Sequence, residues 1–373
     1  MKYRRFGRTG WMVSEVGYGM WGMSSWTGSS DAESRESLQR AVDLGCNFFD
    51  TAWHYGSGHS EALLGELVRR NPGKKLYVAT KIPPKNLAWP ARPEFTLDDC
   101  YPPEHIEQYV RISLKNLGLE NFDLIQFHSW SDAWMEDDRW VKMIDDLRRL
   151  GLFQAVGISL NRWEPWNGVR AVQSGLMDSV QVIYNLFDQN PEDELFPVCA
   201  AMDVAVIARC PLDQGSLTGR LTLDSKWPEG DWRNKRFNPE ALKECVQHAD
   251  ALKPLVPQGT TLPGMALRFI LNNPAVSTVI PGMRKAKNVE ENLRVASEGP
   301  LPADLHSELR KHRWDRGAAS ITMLSGVVKY SFEPRSAVGT ESGPSHQPGL
   351  DRVKNPFPRR TQSFFCGASR RSG

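Results

Sequence analysis

The sequence predicts an α/β protein folded as a (β/α)8 barrel of the TIM type. Short apolar runs with β-strand character alternate with longer segments of helical periodicity, which is typical of βα units that form a parallel sheet. Eight such runs are present, and this number fits a closed barrel better than an open doubly wound sheet, which usually has fewer strands. The chain of 373 residues is also long enough, because barrels of this kind take about 250 residues or more.

The candidate strands and helices follow one another along the chain. The strand candidates are Val13–Tyr18, Asn47–Asp50, Leu76–Thr80, Asp123–His128, Ala155–Ser159, Ser179–Tyr184, Val204–Ala208 and Ser277–Ile280. The helix candidates are Asp31–Leu44, Glu61–Arg70, Pro103–Leu117, Asp137–Leu150, Glu192–Ala201, Pro239–Lys253 and Pro263–Asn272. The first helix has a start signal and a stop signal, because Ser30 and Glu33 have the spacing of a capping box and Gly45 follows the last periodic residue.

Two further segments lie outside the repeating pattern. Tyr3–Val13 is predicted to form a small hairpin that plugs one end of the barrel. After Asp315 the periodicity ends, so residues 1–315 are assigned to the barrel and residues 316–373 to a basic C-terminal tail of low order. The tail has five prolines and nine Lys or Arg against three Asp or Glu, which favours a solvated, disordered extension. The alternative is a segment that attracts an acidic partner.

Composition argues against several classes of function. Without the tail, the chain has 37 Lys or Arg against 41 Asp or Glu, so its body lacks a general basic surface for nucleic acid. The six cysteines form no C-x-x-C pair, and no His or Cys spacing indicates a metal site. No secretory signal follows Met1, and no apolar run reaches the roughly 18 residues of a membrane span. We therefore expect a cytoplasmic protein without a metal, a membrane anchor or a nucleic-acid partner.

Two connections, Lys81–Pro102 and Arg209–Asn238, are long for a barrel. Both follow candidate strands, so both are expected at the C-terminal face, where barrel enzymes have their active sites. Their aromatic residues are candidate walls of a substrate pocket, namely Trp89, Phe95, Trp227, Trp232 and Phe237. The alternative is that these side chains only pack against the rim of the barrel.

Four polar side chains follow neighbouring candidate strands. Asp50, Lys81 and His128 stand at the ends of the second, third and fourth strands, and Tyr55 lies in the loop after the second. Adjacent strand ends of a parallel barrel converge on one pocket. The sequence therefore predicts that these four side chains lie together.

Their residue types suit the reduction of a carbonyl group. This reaction needs a hydride donor and an acid at the carbonyl oxygen. Tyr55, with an ordinary pKa of about 10, is a poor acid until a neighbouring charge stabilises its phenolate. Lys81 would supply that charge, Asp50 would keep Lys81 protonated and oriented, and His128 would hydrogen-bond the substrate oxygen.

Three motifs also carry a family resemblance. The D-T-A-x-x-Y-G run at 50–56, the A-T-K strand end at 79–81 and the Q-F-H strand end at 126–128 resemble the catalytic tetrad of the aldo-keto reductase superfamily. The resemblance extends over roughly residues 1–315. It implies NADPH-dependent reduction of an aldehyde or ketone to an alcohol, with Tyr55 as general acid and a small carbonyl compound as substrate.

A candidate phosphate site follows the last strand, in the run Ile280-Pro-Gly282-Met-Arg284-Lys285. A glycine turn and a helix start offer backbone N–H groups and a positive dipole end, and the two cations favour the 2'-phosphate of NADP over the bare ribose of NAD. The run resembles the family's adenosine-phosphate clamp, which implies that Arg284 binds the 2'-phosphate. The side chains implied to contact the adenosine are Asn288, Glu291 and Asn292.

The same resemblance assigns the remaining cofactor contacts. The nicotinamide carboxamide would be hydrogen-bonded by Ser159, Asn161 and Gln181. Leu212 and Gly215 would lie along the pyrophosphate. Arg209 stands where many members of the family have a tyrosine that stacks on the nicotinamide, and its planar guanidinium would cover the ring instead.

A competing motif is Gly17-Tyr-Gly19-Met-Trp-Gly22, which matches the G-x-G-x-x-G dinucleotide fingerprint. That fingerprint requires a helix that opens on the glycines, whereas the helix signal here begins only at Ser30. We interpret the match as fortuitous. Met20 and Trp21 are instead expected to edge the substrate pocket.

Two other functions are compatible with a barrel of this kind. One is an NADP-binding sensor or regulatory subunit that acts through a partner protein, as the potassium-channel β subunits of the superfamily do. An intact tetrad does not distinguish it from an enzyme, because those subunits retain one. The other is a barrel with unrelated acid–base chemistry. The sequence identifies neither a protein partner nor the particular carbonyl compound.

Overall fold

A computed structural model describes residues 1–23, 28 and 30–316 of the chain. The predicted tail therefore lies outside the described residues except for its first residue, Arg316. That side chain is buried and paired with two aspartates of the barrel. No helix in the described part of the chain is long and apolar enough to cross a membrane.

The chain begins with the predicted hairpin, formed by the antiparallel strands β1 (Tyr3–Phe6) and β2 (Trp11–Ser14). Phe6 and Val13 are fully buried in a cluster with side chains from inside the barrel, such as Phe48. This packing closes the N-terminal end of the barrel with apolar surface. The prediction of a hairpin plug is confirmed.

Eight parallel strands then follow in chain order around the barrel. They are β3 (Tyr18–Gly19), β4 (Phe48–Asp50), β5 (Tyr77–Ile82), β6 (Phe122–Phe127), β7 (Phe153–Ser159), β8 (Ser179–Ile183), β9 (Ala205–Arg209) and β10 (Val276–Val279). The first and last strands are joined by backbone hydrogen bonds from Gly17 N–H to the Val279 carbonyl at 2.9 Å and from Gly19 N–H to the Pro281 carbonyl at 3.0 Å. The predicted barrel is confirmed.

The first strand is where the prediction and the structure differ most. The apolar run Val13–Tyr18 was expected to form one strand, but Val13 and Ser14 belong to hairpin strand β2 and the barrel strand β3 begins only at Tyr18. The run is buried throughout, first against the barrel floor and then in the barrel wall. Because both environments select apolar residues, the pattern does not reveal where the chain changes its partner strand.

The glycines of the competing dinucleotide motif allow the barrel to close. A Cβ on Gly19 would lie 2.7 Å from the Ile280 carbonyl oxygen, and one on Gly17 would lie 2.9 Å from the Thr278 hydroxyl oxygen. Gly22 lies in a short 3-10 helix, Trp21–Met23, and the first α-helix begins only at Asp31. In the described residues, no α-helix opens on these glycines, as the strand–glycine–helix arrangement of the fingerprint would require.

The helices pack outside the strands. Their bounds are α1 (Asp31–Asp43), α2 (His59–Arg70), α3 (Leu97–Cys100), α4 (Pro103–Leu117), α5 (Arg139–Arg149), α6 (Val169–Gln173), α7 (Leu195–Ala201), α8 (Arg233–Arg236), α9 (Pro239–Leu252), α10 (Leu262–Leu271), α11 (Ala286–Glu298) and α12 (Ala303–Arg310). Ser30 is the N-cap of α1 as expected, but its side chain makes no capping hydrogen bond, so the capping-box prediction was wrong. The reciprocal pair is present instead at Thr96 and Asp99, on α3.

Close packing of α2 against α4 leads to a stability prediction. A Cβ on Gly65 would lie 1.8 Å from the Leu117 carbonyl oxygen, so Gly65→Ala must force the two helices apart. We expect a loss of about 3 kcal/mol in the free energy of unfolding, as for other overpacked cores. Gly73→Ala is the control, because no atom lies within 4 Å of its Cβ position. Urea unfolding measures both variants, and equal midpoints would contradict the expected strain.

Candidate active site

The four side chains singled out from the sequence meet at the C-terminal end of the barrel. Asp50 ends β4, Lys81 lies near the end of β5, His128 directly follows β6, and Tyr55 lies in the loop between β4 and α2. Pairing of Asp50 with Ala79 and of Lys81 with Gln126 brings the strand ends to one level. The expected convergence is thus observed in the geometry.

Lys81 is the centre of this group and is completely buried. Its Nζ donates to Asp50 Oδ2 at 2.6 Å, to the Thr51 carbonyl oxygen at 2.7 Å and to Tyr55 Oη at 3.3 Å. Burial favours the neutral amine, but Asp50 and Tyr55 outweigh that effect and raise the pKa of Lys81. The ammonium is therefore charged at neutral pH, and each of its three protons has an acceptor.

The second oxygen of Asp50 is held by two amides that the sequence did not assign to this role. Gln126 Nε2 donates to Asp50 Oδ1 at 3.0 Å, and Gln181 Nε2 donates to the same atom at 2.8 Å. Gln126 was missed, although it belongs to the quoted Q-F-H strand end. Gln181 was expected at the nicotinamide carboxamide, but its amide nitrogen is directed to Asp50 and to Gln126 Oε1 at 3.1 Å.

Tyr55 keeps its proton in this environment. Burial of the hydroxyl raises the pKa of Tyr55, and the opposing charge of Lys81 does not overcome that effect. The phenol is thus un-ionised at neutral pH while an ammonium lies within hydrogen-bonding distance. This arrangement suits a proton donor whose conjugate base is stabilised only once the proton has left.

His128 presents its ring edge-on to Tyr55, with ring centroids 5.7 Å apart. Burial of the imidazole, followed by the charge of Lys81, lowers the pKa of His128 well below its usual value. Its Nδ1 is buried and has no hydrogen-bond partner among the described residues. A buried N–H without a partner is rare, so the neutral tautomer with the proton on Nε2 is favoured.

Aromatic side chains of the loops approach one another near the C-terminal ends of the strands, and one of them, Trp89, contacts His128. The Trp89 ring lies 5.5 Å from His128 and 4.5 Å from His54, and 39% of Trp89 is exposed. Trp21 contacts Trp232 at a centroid distance of 4.9 Å.

The long loops use their aromatic residues in different ways. Trp89 approaches His128, as expected for a pocket wall, whereas Trp227 stacks on Phe237 at 5.3 Å within its own connection. The Phe95 side chain is partly buried against the main hydrophobic core of the barrel. For Trp227, Phe237 and Phe95, the alternative that these side chains only pack against the rim of the barrel describes the structure better.

The residues expected at the nicotinamide end surround the ends of β7 and β9. Ser159 is buried at the end of β7. Asn161 exchanges two hydrogen bonds with the Ala91 backbone, at 2.8 and 3.0 Å, which connects it to the loop after β5. Arg209 ends β9, donates to the Leu160 carbonyl oxygen at 2.9 Å, and is close enough to help lower the pKa of His128.

The loop after β9 has an unusual backbone. Cys210, Asp213, Gln214 and Gly215 all adopt positive φ, and Gly215 reaches 123°. Open space surrounds the position where a Cβ on Gly215 would lie. A backbone without a side chain at such a place allows close approach of a ligand. Leu212, one turn earlier, is partly exposed.

The predicted phosphate site is formed by the start of α11. Lys285 is the N-cap of this helix and provides no side-chain cap, and Gly282 lies just before it, bridged to Gly19. Arg284 is partly buried. Of the predicted adenosine contacts, Asn292 is buried, Asn288 is partly exposed and Glu291 is exposed beside Lys287. Among the described residues, no group of His, Cys, Asp and Glu side chains could hold a metal ion.

The barrel and its site define an oxidoreductase of the carbonyl-reducing kind. Residues 15–313 match the sequence model of the aldo/keto reductase family, and the chain belongs to that family. This membership agrees with the resemblance found in the strand-end motifs.

Known proteins of several organisms are similar to the chain. The NADH-specific methylglyoxal reductase of Escherichia coli is 27% identical over 82% of this chain and 96% of its own length. An aldo-keto reductase of Schizosaccharomyces pombe, yakc, whose name specifies NADP(+), is 28% identical over 75% of this chain and 83% of its own. The solved glycerol dehydrogenase AKR11B4 of Gluconobacter oxydans superposes with a TM-score of 0.69 at 24% identity, covering 89% of this chain and 99% of that one. This structural similarity shows that the chain shares the fold of the glycerol dehydrogenase.

Proposed function

We propose that the protein reduces an aldehyde or ketone to an alcohol with NADPH, and that Tyr55 gives the proton. The observation that carries this proposal is the contact between Lys81 Nζ and Tyr55 Oη at 3.3 Å within the buried Lys81–Asp50 ion pair. A protonated phenol beside a fixed ammonium suits proton donation to a carbonyl oxygen that is becoming negative.

Each group then has a role in the reaction. NADPH, when bound, supplies the hydride that adds to the carbonyl carbon. The Tyr55 Oη–H proton moves to the carbonyl oxygen, and Lys81 stabilises the phenolate that is left. Asp50 holds the ammonium in place through its 2.6 Å hydrogen bond. His128 is neutral and donates from Nε2 to the same carbonyl oxygen, which orients the substrate before the proton moves.

Features of the described residues fit a nicotinamide dinucleotide. Gly215 leaves open space at the loop after β9, and the α11 N-terminus has no side-chain cap, so both offer backbone to phosphate oxygens. Arg209 ends β9 and is close enough to His128 to help lower the pKa of that imidazole, so its guanidinium can cover a nicotinamide. We assign Ser159, Asn161 and Gln181 to the carboxamide end, where Gln181 would use its amide oxygen because its amide nitrogen donates to Asp50.

We assign Arg284 to the 2'-phosphate of NADPH and Asn288, Glu291 and Asn292 to the adenosine. The names of the two relatives include both NADH and NADP(+), so family membership alone leaves the choice open. The argument for NADPH is the charge of Arg284 and Lys285 directly before the α11 N-terminus. A fork-shaped guanidinium can bind a phosphate through two hydrogen bonds, and NADH has no phosphate at that ribose.

A variant of Arg284 tests the cofactor choice. Because charge-assisted hydrogen bonds contribute about 1.5–3 kcal/mol, we expect Arg284→Gln to raise the Kd for NADPH by roughly 10- to 100-fold and to leave the Kd for NADH within about twofold. Arg294→Gln is the control, since Arg294 lies further along α11 and pairs with Glu298. Fluorescence titration with both dinucleotides measures the effect, and an equal loss for NADH would argue against a 2'-phosphate contact.

Steady-state assays with a panel of carbonyl compounds test the whole proposal. We expect continuous oxidation of NADPH with at least one aldehyde or ketone, at a higher kcat/KM than with NADH. Binding of NADPH without its oxidation by any compound of the panel would favour a sensor or regulatory subunit. A partner protein would then be sought by co-purification. Failure to bind either dinucleotide would favour unrelated acid–base chemistry.

A further inference from the structure

Three arginines from distant segments surround the loop after β9, and the proposed role of that loop in binding NADPH does not by itself explain them. Here the cofactor loop means residues 210–215. Arg162 follows β7, Arg236 ends α8, and Arg316 lies beyond α12. All three contact side chains of the cofactor loop.

We propose that Arg316 is a positioning residue that holds the cofactor loop in the conformation that accepts NADPH. This inference rests on the proposed function. It deepens that function by making cofactor affinity depend on a residue beyond the last helix of the barrel.

Arg316 joins two buried carboxylates from separate loops. Its Nη1 donates to Asp213 Oδ2 at 3.0 Å, and its Nε and Nη2 both donate to Asp188. The side chains of all three residues are at most 4% exposed. Because buried carboxylates without a countercharge are strongly unfavourable, Arg316 ties the loop after β8 to the cofactor loop.

Asp213 and Gln214 are the residues that need this support. They have φ values of 44° and 56°, a left-handed conformation that side chains disfavour. Both precede Gly215, the position of open backbone. An ion pair on Asp213 and hydrogen bonds on Gln214 therefore stabilise a backbone shape that the local sequence does not favour.

Arg162 and Arg236 hold the same loop from other sides. Arg162 Nη2 and Arg236 Nε donate to Gln214 Oε1 at 2.8 and 2.9 Å, and Arg236 Nη2 lies 3.3 Å from Asp213 Oδ2. Arg316 differs from them because it alone also reaches Asp188. It thus joins the cofactor loop to the loop after β8 through two carboxylates, whereas Arg162 links the cofactor loop to the loop after β7 through Gln214.

The segment that carries Arg316 is itself anchored. The backbone N–H of Trp314 donates to the Phe187 carbonyl oxygen at 2.9 Å, and the Trp314 ring stacks on the His248 ring of α9 with centroids 4.0 Å apart. The Arg316 guanidinium lies over the Trp314 ring at 4.7 Å. A cation fixed on an aromatic ring loses little further freedom when it pairs with Asp213, so the position of Arg316 is well defined.

Loss of Arg316 is expected to affect NADPH binding more than the chemical step. Without Arg316, the cofactor loop can leave its left-handed conformation, and NADPH must restore that conformation on binding. A ligand that has to select a less populated state binds with a higher apparent Kd. Once NADPH is bound, the positions of Tyr55 and Lys81 are unaffected, so turnover at saturation stays the same.

Full-chain Arg316→Gln tests the inference, with Arg313→Gln as a matched control. Arg313 lies in the same segment, and its ion pairs within the described part of the chain are with Asp193 and Asp315 at the surface. NADPH binding is followed by quenching of tryptophan fluorescence, and kcat is measured at saturating NADPH with the best substrate of the panel. We expect at least a tenfold rise in Kd and a kcat within about twofold of wild type for Arg316→Gln, and no change for Arg313→Gln.

Two further variants keep the test decisive if Arg316→Gln folds poorly. Arg316→Lys retains the charge but not the bridging fork, so its Kd should fall between wild type and Arg316→Gln. Asp213→Asn removes the charge on the loop side and should raise the Kd similarly. Wild-type Kd in all folded variants, or a fall in kcat without a change in Kd, would overturn the inference alone. A wild-type protein that does not bind NADPH would overturn the proposed function and this inference together.

Discussion

Tyr55→Phe is expected to lower kcat for carbonyl reduction by about 1,000- to 10,000-fold, near the upper end of what a general acid contributes. The substitution removes only the hydroxyl, which contacts Lys81 Nζ at 3.3 Å, and leaves the ring that packs edge-on against His128. Because no dinucleotide contact is assigned to Tyr55, the Kd for NADPH should stay within about twofold of wild type. Single-turnover kinetics with saturating NADPH separate the chemical step from product release.

Tyr109→Phe is the control for that experiment. Tyr109 lies on α4 with its ring 4.9 Å from Trp53, in the neighbourhood of the site but without contact to the Lys81–Asp50 pair. It should retain wild-type turnover. Near-normal reduction by Tyr55→Phe would eliminate Tyr55 as proton donor and leave His128 as the remaining candidate acid.

The convergence of the candidate active-site residues could be predicted from the sequence because it follows from topology. Parallel strands in sequential order place their C-terminal ends side by side, so residues at three successive strand ends must meet. Asp50, Lys81 and His128 stand at such ends, and no knowledge of loop shape is needed to bring them together. Tyr55 is only five residues from Asp50, which restricts it to the same pocket.

The hydrogen-bond partners inside the site were less predictable. Gln181 has a side chain and a position that suit a cofactor ligand, yet its amide nitrogen donates to Asp50 across the barrel. Gln126 points into the same space from β6. The amide of either glutamine can hydrogen-bond a cofactor or a carboxylate. The choice between these two partners depends on distances across the barrel, which the sequence does not show.

The buried position of Arg316, beyond the last helix of the barrel, could not be predicted for a different reason. Residues after Asp315 lack periodicity, and a single arginine gives no pattern, so Arg316 was grouped with the tail. Its burial depends on Asp188 and Asp213, more than a hundred residues away in sequence. A charge pair over such a distance leaves no local signal, in contrast to a helix face or a strand end.

Lys81→Met is expected to lower kcat for reduction by about 1,000-fold, because loss of one group that stabilises developing charge costs about 100- to 1,000-fold and this group carries a full charge. Asp50 keeps two amide donors, Gln126 and Gln181, so the site retains hydrogen bonds that help it fold. Lys85→Met is the matched control, since Lys85 is exposed in the loop after β5.

The pH dependence of the reverse reaction provides a sharper test of why Lys81 matters. Oxidation of an alcohol needs the Tyr55 phenolate as base, so its rate rises with pH through the pKa of Tyr55. Burial raises that pKa, and the charge of Lys81 opposes the increase. Removal of the Lys81 charge must therefore raise the pKa of Tyr55 further. In Lys81→Met, the rising limb of the pH–rate profile should then lie at higher pH than in wild type or in Lys85→Met. A limb at the wild-type pH, together with the lower kcat, would mean that Lys81 fixes the position of Tyr55 without acting on its proton.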